Sequence, residues 1–108
     1  MITIEYFKKV DIRIGTVVSA ERVEGSEKLI KFIFDIGEGE ERQILGGLAL
    51  AYPDPSVFIG KQMPIILNLE PRKLMGLESQ GMILAADRDG RPVTLHPTED
   101  VPSGSMVK

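Results

Sequence analysis

The chain is 108 residues long, which is enough for one domain that buries a core without metal or disulfide support. With 43% hydrophobic and 27% charged residues its composition is that of a soluble globular protein, and no apolar run approaches the roughly 18 residues of a membrane span. The absence of cysteine excludes thiol chemistry and disulfides, and the net charge of -3 excludes a surface that is basic throughout, so any nucleic-acid site must be local. The amino-terminus lacks the basic and apolar regions of a secretory signal, and we therefore expect a cytoplasmic protein with no membrane partner.

The first half of the chain is predicted to form a short helix and three strands. Thr3 can cap a helix over 3–9, in which Ile4 and Phe7 would face inward. Apolar residues then alternate with other residues in three runs, which is the period of half-buried strands. These runs are residues 11–18, 30–36 and 42–45. The glycine-rich turn between the second and third runs predicts a hairpin.

The second half is predicted to add a helical turn and two more strands. Residues 48–52 have the composition of a helical turn that Pro53 and Pro55 would stop. The runs 62–69 and 82–87 are predicted as strands, and Pro64 indicates an edge strand or the beginning of a strand, because it cannot donate to a ladder. Five short strands with a small helix between the third and fourth predict an all-β, five-stranded Greek-key barrel of the OB type. A five-stranded sandwich is the alternative.

The segment after the fifth strand exceeds what a five-stranded barrel needs. Asp89-Gly90 is a hairpin turn signal, and a short apolar run and a proline-rich end follow it. We expect a strand pair that covers an apolar patch, either on its own barrel or across a dimer interface. The predicted organisation is one domain, 1–108, with a helix at 1–10, the barrel at 11–87 and a C-terminal strand extension at 88–108.

A search for catalytic chemistry finds no constellation that supports it. The only histidine, His96, lies beside Pro97 in the tail, and the carboxylates are scattered among turns without the spacing of two-carboxylate catalysis or of a calcium loop. No glycine-rich phosphate-binding motif is present. We therefore predict a protein that is not an enzyme and that has no metal and no cofactor.

The stretch 65–86 contains the residue types of an RNA-binding site. It combines a basic pair for phosphates, polar side chains that donate or accept hydrogen bonds, and a methionine that offers a flat apolar contact to a base or ribose. These residues are Arg72, Lys73, Asn68, Ser79, Gln80 and Met82. Each one alone is better explained by a turn or by the core. Their combination favours RNA.

Several segments carry a resemblance to a known family. The two longest read NLEPRKLMG at 68–76 and ESQGMILAA at 78–86, and shorter ones lie at 11–15, 27–29 and 42–44. In this order they resemble the tRNA-binding OB domain found at the C-terminus of methionyl-tRNA synthetase, which also occurs as a free-standing dimeric tRNA-binding protein and in cytokine-like synthetase cofactors. The resemblance implies structure-dependent, largely sequence-independent binding of tRNA, and assistance to the methionyl-tRNA synthetase catalytic subunit in trans as a β-subunit-like module.

The resemblance also implies which residues bind and which segments dimerise. Carried over by motif, the RNA face consists of Asn68, Arg72, Lys73, Ser79, Gln80 and Met82, with Lys28, Lys31 and Arg42 as nearby phosphate contacts. A homodimer is implied whose interface uses the helix at 1–10 and the extension at 88–108. Glu70 and Gly46 depart from the family pattern, which has basic or small residues and a serine there. The alternative function is a dimeric protein-binding chaperone of a related, secretion-linked OB branch.

Overall fold

The computed structural model describes all 108 residues and consists of an antiparallel barrel with two attached hairpins. The elements are helix α1 (Ile4–Phe7), strands β1 (Ile12–Arg22), β2 (Ile30–Asp35) and β3 (Glu41–Gly46), a 3₁₀ helix (Pro55–Phe58), and strands β4 (Gln62–Ile66), β5 (Arg72–Leu74), β6 (Leu77–Ser79), β7 (Met82–Ile83), β8 (Ala85–Arg88) and β9 (Arg91–Thr94). The main sheet has the order β3-β2-β1-β4-β7, whereas β5–β6 and β8–β9 form separate two-stranded sheets. No helix is long and apolar enough to cross a bilayer.

Strand β1 joins the two halves of the barrel. Its second half pairs with β2 and its first half pairs with β4, with Thr16 shared by both ladders. Gly15 lies next to this crossover and has no room for a side chain, because a Cβ there would lie 2.8 Å from Phe34 Cδ1 and 2.9 Å from Ile65 Cδ1, closer than packed atoms approach. The sheet nearly closes where Gln80 N–H donates to the carbonyl of Gln43 on β3, at 2.8 Å. The predicted OB-type barrel is confirmed, and the sandwich alternative is wrong.

The alternating residues of the strands fill the barrel. Phe32, Phe34, Ile44, Met63 and Ile65 have essentially no exposed surface. The ring of Phe32 packs against two others. Its centroid lies 5.6 Å from that of Phe34, in a stacked arrangement, and 5.5 Å from that of Phe58, in an edge-to-face arrangement. This packing fixes the strand faces, and with them the positions of the loops that leave the barrel.

The N-terminal helix forms where predicted but does not bury its apolar side chains. Thr3 caps α1, and its Oγ1 accepts a hydrogen bond from the Tyr6 N–H at 3.1 Å. The prediction that Ile4 and Phe7 face inward is wrong, since no residue of α1 is buried and Ile4 is 59% exposed. A helix of four residues outside the barrel has no core to face, and its apolar side lines a surface groove beside Met106 instead.

The short helix between β3 and β4 is confirmed, but it lies further along the chain than predicted. Residues 48–52 make a single turn, closed by a 2.8 Å hydrogen bond from the Tyr52 N–H to the Leu48 carbonyl. The helix begins at Pro55, because proline has a helical φ and lacks only an N–H that the first helical residue does not need. Asp54 caps it and accepts from Ser56 Oγ at 2.7 Å and from the Ser56 N–H at 3.1 Å. These two bonds lower the pKa of the Asp54 carboxyl from its ordinary value.

Strands β4 and β7 are both shorter than predicted. The fifth barrel strand ends after Ile83, because the chain from Ala85 turns away to pair with β9 through the tight Asp89-Gly90 turn. The expectation that Pro64 marks an edge or a strand beginning is wrong, since it lies inside β4 between two paired strands. It is tolerated because the opposite residue, Ile14, directs its backbone N–H and C=O away from β4, so the β1 ladder needs no donor from proline.

The C-terminal tail covers its own barrel. The Ile14 N–H donates to the Ser105 carbonyl at 2.8 Å and the Gly104 N–H donates to the Ile14 carbonyl at 2.7 Å, so the tail runs beside β1 where β2 has ended. The side chain of Gln62 donates to the Val101 carbonyl at 2.6 Å and accepts from the Val101 N–H at 3.0 Å. Of the two placements left open by the sequence, this part of the tail adopts the one on its own barrel.

Candidate nucleic-acid interface

A continuous groove crosses one side of the barrel. It consists of three adjoining depressions of about 400, 240 and 600 Å³ that share residues at their junctions. Arg72 and Met82 line both the first and the second depression, and Gly47 and Pro92 line both the second and the third. We call the whole the Gly47 groove. It extends from residues 69–72 at one end to Lys28, Leu50 and 89–91 at the other.

The β5–β6 hairpin forms one end of the groove. Its turn is Met75-Gly76, with φ values of 52° and 78°, and two successive positive φ angles give the turn type whose twist matches paired strands. Met75 reaches the β1–β2 loop, since a Cβ on Gly25 would lie 3.2 Å from its Cε. The β1–β2 loop and the connection between the fourth and fifth barrel strands are the two loops with which OB folds bind oligonucleotides.

Three of the predicted residues line the groove with free side chains. Lys28, Arg72 and Met82 are all exposed, and Met82 presents 42% of its surface. Lys73 is exposed on the hairpin, opposite Glu78, and makes no ion pair with it. The side chains of Lys28, Lys73 and Arg72 donate no hydrogen bond within the protein, so their N–H groups are available for phosphate oxygens.

Two predicted residues instead connect β3 to the end of the hairpin. Arg42 Nη1 donates to the carbonyls of Leu67 at 3.2 Å and of Gln80 at 3.4 Å. The side chain of Gln80 accepts from the Gln43 N–H at 3.1 Å. These bonds close the barrel next to the groove, so the geometry gives Arg42 and Gln80 a positioning role. A direct RNA contact by either one stays a prediction.

Ser79 and Asn68 likewise use their polar atoms within the protein. Ser79 is 2% exposed, and its hydroxyl accepts from the Leu45 N–H at 3.0 Å and donates to the Gly81 carbonyl at 3.3 Å. Asn68 accepts from the Asp11 N–H at 2.8 Å and donates to the Lys9 carbonyl at 2.6 Å. Their predicted RNA contacts are untested, and the visible role of both is to hold backbone segments.

The remaining predicted contact, Lys31, lies outside the groove lining. It projects from β2 opposite Glu21 of β1, and its Nζ is 3.9 Å from the Glu21 carboxylate. A phosphate would have to compete with that carboxylate. Its predicted phosphate contact is also untested.

Sequence reasoning missed Arg91 and Gly47, and it left Glu70 unexplained. Arg91 lies over the Tyr52 ring, 5.2 Å from its centroid, and Nη2 donates to the Ala51 carbonyl at 3.4 Å. The Asp89-Gly90 turn signal predicted the hairpin, but nothing local predicts that this hairpin faces the groove. Glu70 lines the opposite end, where its carboxylate opposes the field of Arg72.

A barrel of this kind, with cations left unpaired beside its two binding loops, places the protein among nucleic-acid-binding OB domains. Comparison with protein families narrows this class. Residues 12–106 match the model of the family described as "Putative tRNA binding domain". The chain belongs to this family.

Relatives and solved structures agree with the match. The chain is 46% identical over 108 residues to a methionine–tRNA ligase of Methanothrix thermoacetophila and 52% identical over 106 residues to that of Archaeoglobus fulgidus. These matches cover 100% and 98% of the chain, which spans only 16% of the length of either ligase.

Two solved structures have the same fold over the whole chain. The crystal structure of a MetRS-related protein from Pyrococcus horikoshii superposes with a TM-score of 0.93 and 37% identity, covering 100% of this chain and 98% of that one. The chaperone CsaA from Bacillus anthracis superposes with a TM-score of 0.89 and 30% identity, covering 100% and 99%. Both are similar to this chain in length as well as in fold.

Proposed function

We propose that the protein is a non-catalytic, cytoplasmic tRNA-binding module that assists methionyl-tRNA synthetase in trans. The observation that carries the binding step is the Gly47 groove, where Lys28, Arg72 and Arg91 lie without carboxylate partners in a chain of net charge -3. A local set of free cations attracts phosphates although the protein as a whole is acidic.

Binding of this type reads shape more than sequence. The cations contact phosphates, which carry no base information, and Met82 offers an apolar surface to a base or ribose. The protein contributes few side chains that could discriminate one base from another. It therefore selects a folded tRNA by where its phosphates lie, and it raises the local tRNA concentration for an enzyme.

The role in trans is supported by the relatives. The similar methionine–tRNA ligases include a segment like this chain, and the Pyrococcus MetRS-related protein has nearly the same length. A detached module of this kind would return to the catalytic subunit through tRNA, through direct contact, or through both. The synthetase is thus the proposed partner.

A homodimer is the proposed assembly, and an exposed apolar groove supports it. Side chains of α1, of the residues just after it and of the tail line a depression of about 280 Å³, including Ile4, Phe7, Val10 and Met106. Ile4 is 59% and Met106 62% exposed. A second copy that covered this surface would remove these side chains from water.

Mobility-shift titration with folded tRNA tests the binding step. We expect a shift at low salt, with the logarithm of affinity falling by about 0.7–0.9 per log unit of salt for each phosphate contact. The same tRNA after thermal denaturation, and a DNA oligonucleotide of equal length, are the controls for shape. Absence of a shift at low salt with folded tRNA would contradict the proposal.

A pull-down from native extract tests the partner. With the tagged chain as bait, both tRNA and methionyl-tRNA synthetase should be recovered without ribonuclease. Synthetase that remains after ribonuclease treatment would indicate direct protein contact, and its loss would indicate a link through tRNA. Recovery of neither would contradict the role in trans.

A protein-binding chaperone is the second candidate, because a CsaA chaperone shares 30% identity and the fold over the full chain. The exposed apolar groove beside α1 would then bind unfolded segments of client proteins. Suppression of the aggregation of a heat-denatured test enzyme, without a tRNA shift, would favour this function over the first.

A further inference from the structure

Gly47 is a glycine that the protein itself does not require. Of the 11 glycines, eight have a positive φ, which favours a residue without a side chain. Packing accounts for Gly15, where a Cβ would lie 2.8 Å from Phe34, and it leaves little room at Gly46, where a Cβ would lie 3.2 Å from the end of the Ile83 side chain. Gly47 has neither a positive φ nor any atom within 4 Å of a Cβ built on it.

The space that a side chain at Gly47 would fill belongs to the groove. Gly47 is exposed and lines both the second and the third depression, so it stands where the groove passes from Arg72 and Met82 toward Lys28 and Arg91. A glycine lowers stability through the extra freedom of the unfolded chain. Besides special backbone angles and tight packing, glycine serves where a ligand approaches the backbone closely, and Gly47 is free to serve in that way.

The guanidinium of Arg91 is already held in place at the Lys28 end of the groove, where it can bind an anion. Stacking on Tyr52 and one bond to the Ala51 carbonyl restrict the guanidinium while leaving its other N–H groups free. Less conformational freedom is then lost when a phosphate binds. Asp89 also lines this end but makes no ion pair with Arg91.

We propose that one strand of the sugar–phosphate backbone of tRNA passes directly over Gly47, with successive phosphates reaching Arg72 on one side and Lys28 and Arg91 on the other. This inference rests on the proposed tRNA binding and extends it beyond the two OB loops to the β8–β9 hairpin. The missing side chain keeps the passage open, and Arg91 is a binding residue of the site.

A steric series at position 47 tests the passage. A Cβ at position 47 would meet no atom within 4 Å, so Gly47→Ala and Gly47→Leu should fold, with thermal unfolding at or slightly above that of the wild type. Affinity for folded tRNA should fall slightly for alanine and about tenfold for leucine, the equivalent of one lost hydrogen bond to a charged group. Thr98→Leu, at an exposed tail position outside the groove, is the control and should bind as the wild type does.

The salt dependence of binding tests Arg91. Arg91→Gln should reduce the slope of log affinity against log salt by about 0.7–0.9, one phosphate contact. Lys61→Gln removes the same charge at an exposed position that does not line the groove, and it should leave the slope unchanged.

The outcomes separate this inference from the function on which it rests. Wild-type protein that fails to bind tRNA overturns both. Wild-type protein that binds, together with unchanged affinity in folded Gly47→Leu and an unchanged slope in Arg91→Gln, overturns only the passage over Gly47. A weakened Gly47→Leu and a reduced Arg91→Gln slope support it.

Discussion

The Gly47 groove and a second polar depression at the end of the barrel contain similar residues but use them differently. The second depression, of about 330 Å³, is lined by Arg13, Arg42, Asp11, Glu38 and Glu40 among others. There Arg13 Nε lies 2.9 Å from the Asp11 carboxylate, and Arg42 donates to two backbone carbonyls. In the Gly47 groove the cations have no carboxylate partner. The partners of a cation, more than the number of cations, therefore decide which depression attracts phosphate.

The largest expected change in tRNA affinity comes from replacing an arginine of the Gly47 groove, compared with replacing one of the second depression. Arg72→Gln should weaken tRNA binding about tenfold, because it removes a charged hydrogen bond to phosphate. Arg13→Gln should change affinity less than about twofold, since its guanidinium is already neutralised. Mobility-shift titrations at one low salt concentration measure both. Equal losses would show that the two regions are not distinct.

A change at Arg42 separates holding the site from contacting the ligand. Arg42→Ala leaves the Leu67 and Gln80 carbonyls without their donor, and we expect the free energy of unfolding to fall by about 1–3 kcal/mol. Urea denaturation gives this value, and titration of the folded variant should show a smaller loss of affinity than Arg72→Gln. Unchanged stability with lost affinity would make Arg42 a direct contact.

Removing a carboxylate from the Gly47 groove should have the opposite effect and raise tRNA affinity. Glu70→Gln should raise tRNA affinity about two- to fivefold, because it removes an exposed like charge from the phosphate path. Glu38→Gln, in the second depression, changes the net charge equally and should have little effect. If both substitutions raised affinity alike, net charge and not position would be responsible.

The smallest effect is expected outside both regions. The folded-state pKa of Asp54 is lowered by its bonds from Ser56, so its contribution to stability is present above the unfolded pKa and is lost as the pH falls through the folded one. Asp54→Ala should therefore be slightly less stable than the wild type at pH 7 and should approach it in strong acid. Thermal unfolding across pH measures this, with tRNA affinity at pH 7 unchanged. A difference that persists in strong acid would contradict it.

The barrel could be predicted because its signals are local. Phe32 and Phe34 alternate with Lys31, Ile33 and Asp35, which are only partly buried, and the two rings lie on the same core face. The β5–β6 hairpin was missed because its turn contains Met75 at a positive φ, a conformation that methionine rarely adopts. The 3₁₀ helix was misplaced because Pro55 was interpreted as a stop, although proline also begins helices.

The candidate site was predictable only in part, for a related reason. Arg72 and Met82 could be predicted from residue type, since both side chains are exposed in the groove and can contact a ligand directly. The internal bonds of Asn68 were not predictable, because one partner, Asp11, is 57 residues away. Arg91 and Gly47 become candidates only because they line the groove with residues that are distant in sequence, and no local sequence pattern predicts that proximity.

The tail that runs beside β1 pairs part of the edge of that strand. Where β2 ends, the N–H and C=O groups of Ile12 and Ile14 would form a bare sheet edge, and such edges recruit strands from other molecules. Three of them are paired by the tail: the Ile14 N–H donates to the Ser105 carbonyl, and the Ile14 and Ile12 carbonyls accept from the N–H groups of Gly104 and Val107, at 2.7–2.9 Å. Residues 104–107 thus cover a stretch of sheet edge with which a strand of another molecule could otherwise pair.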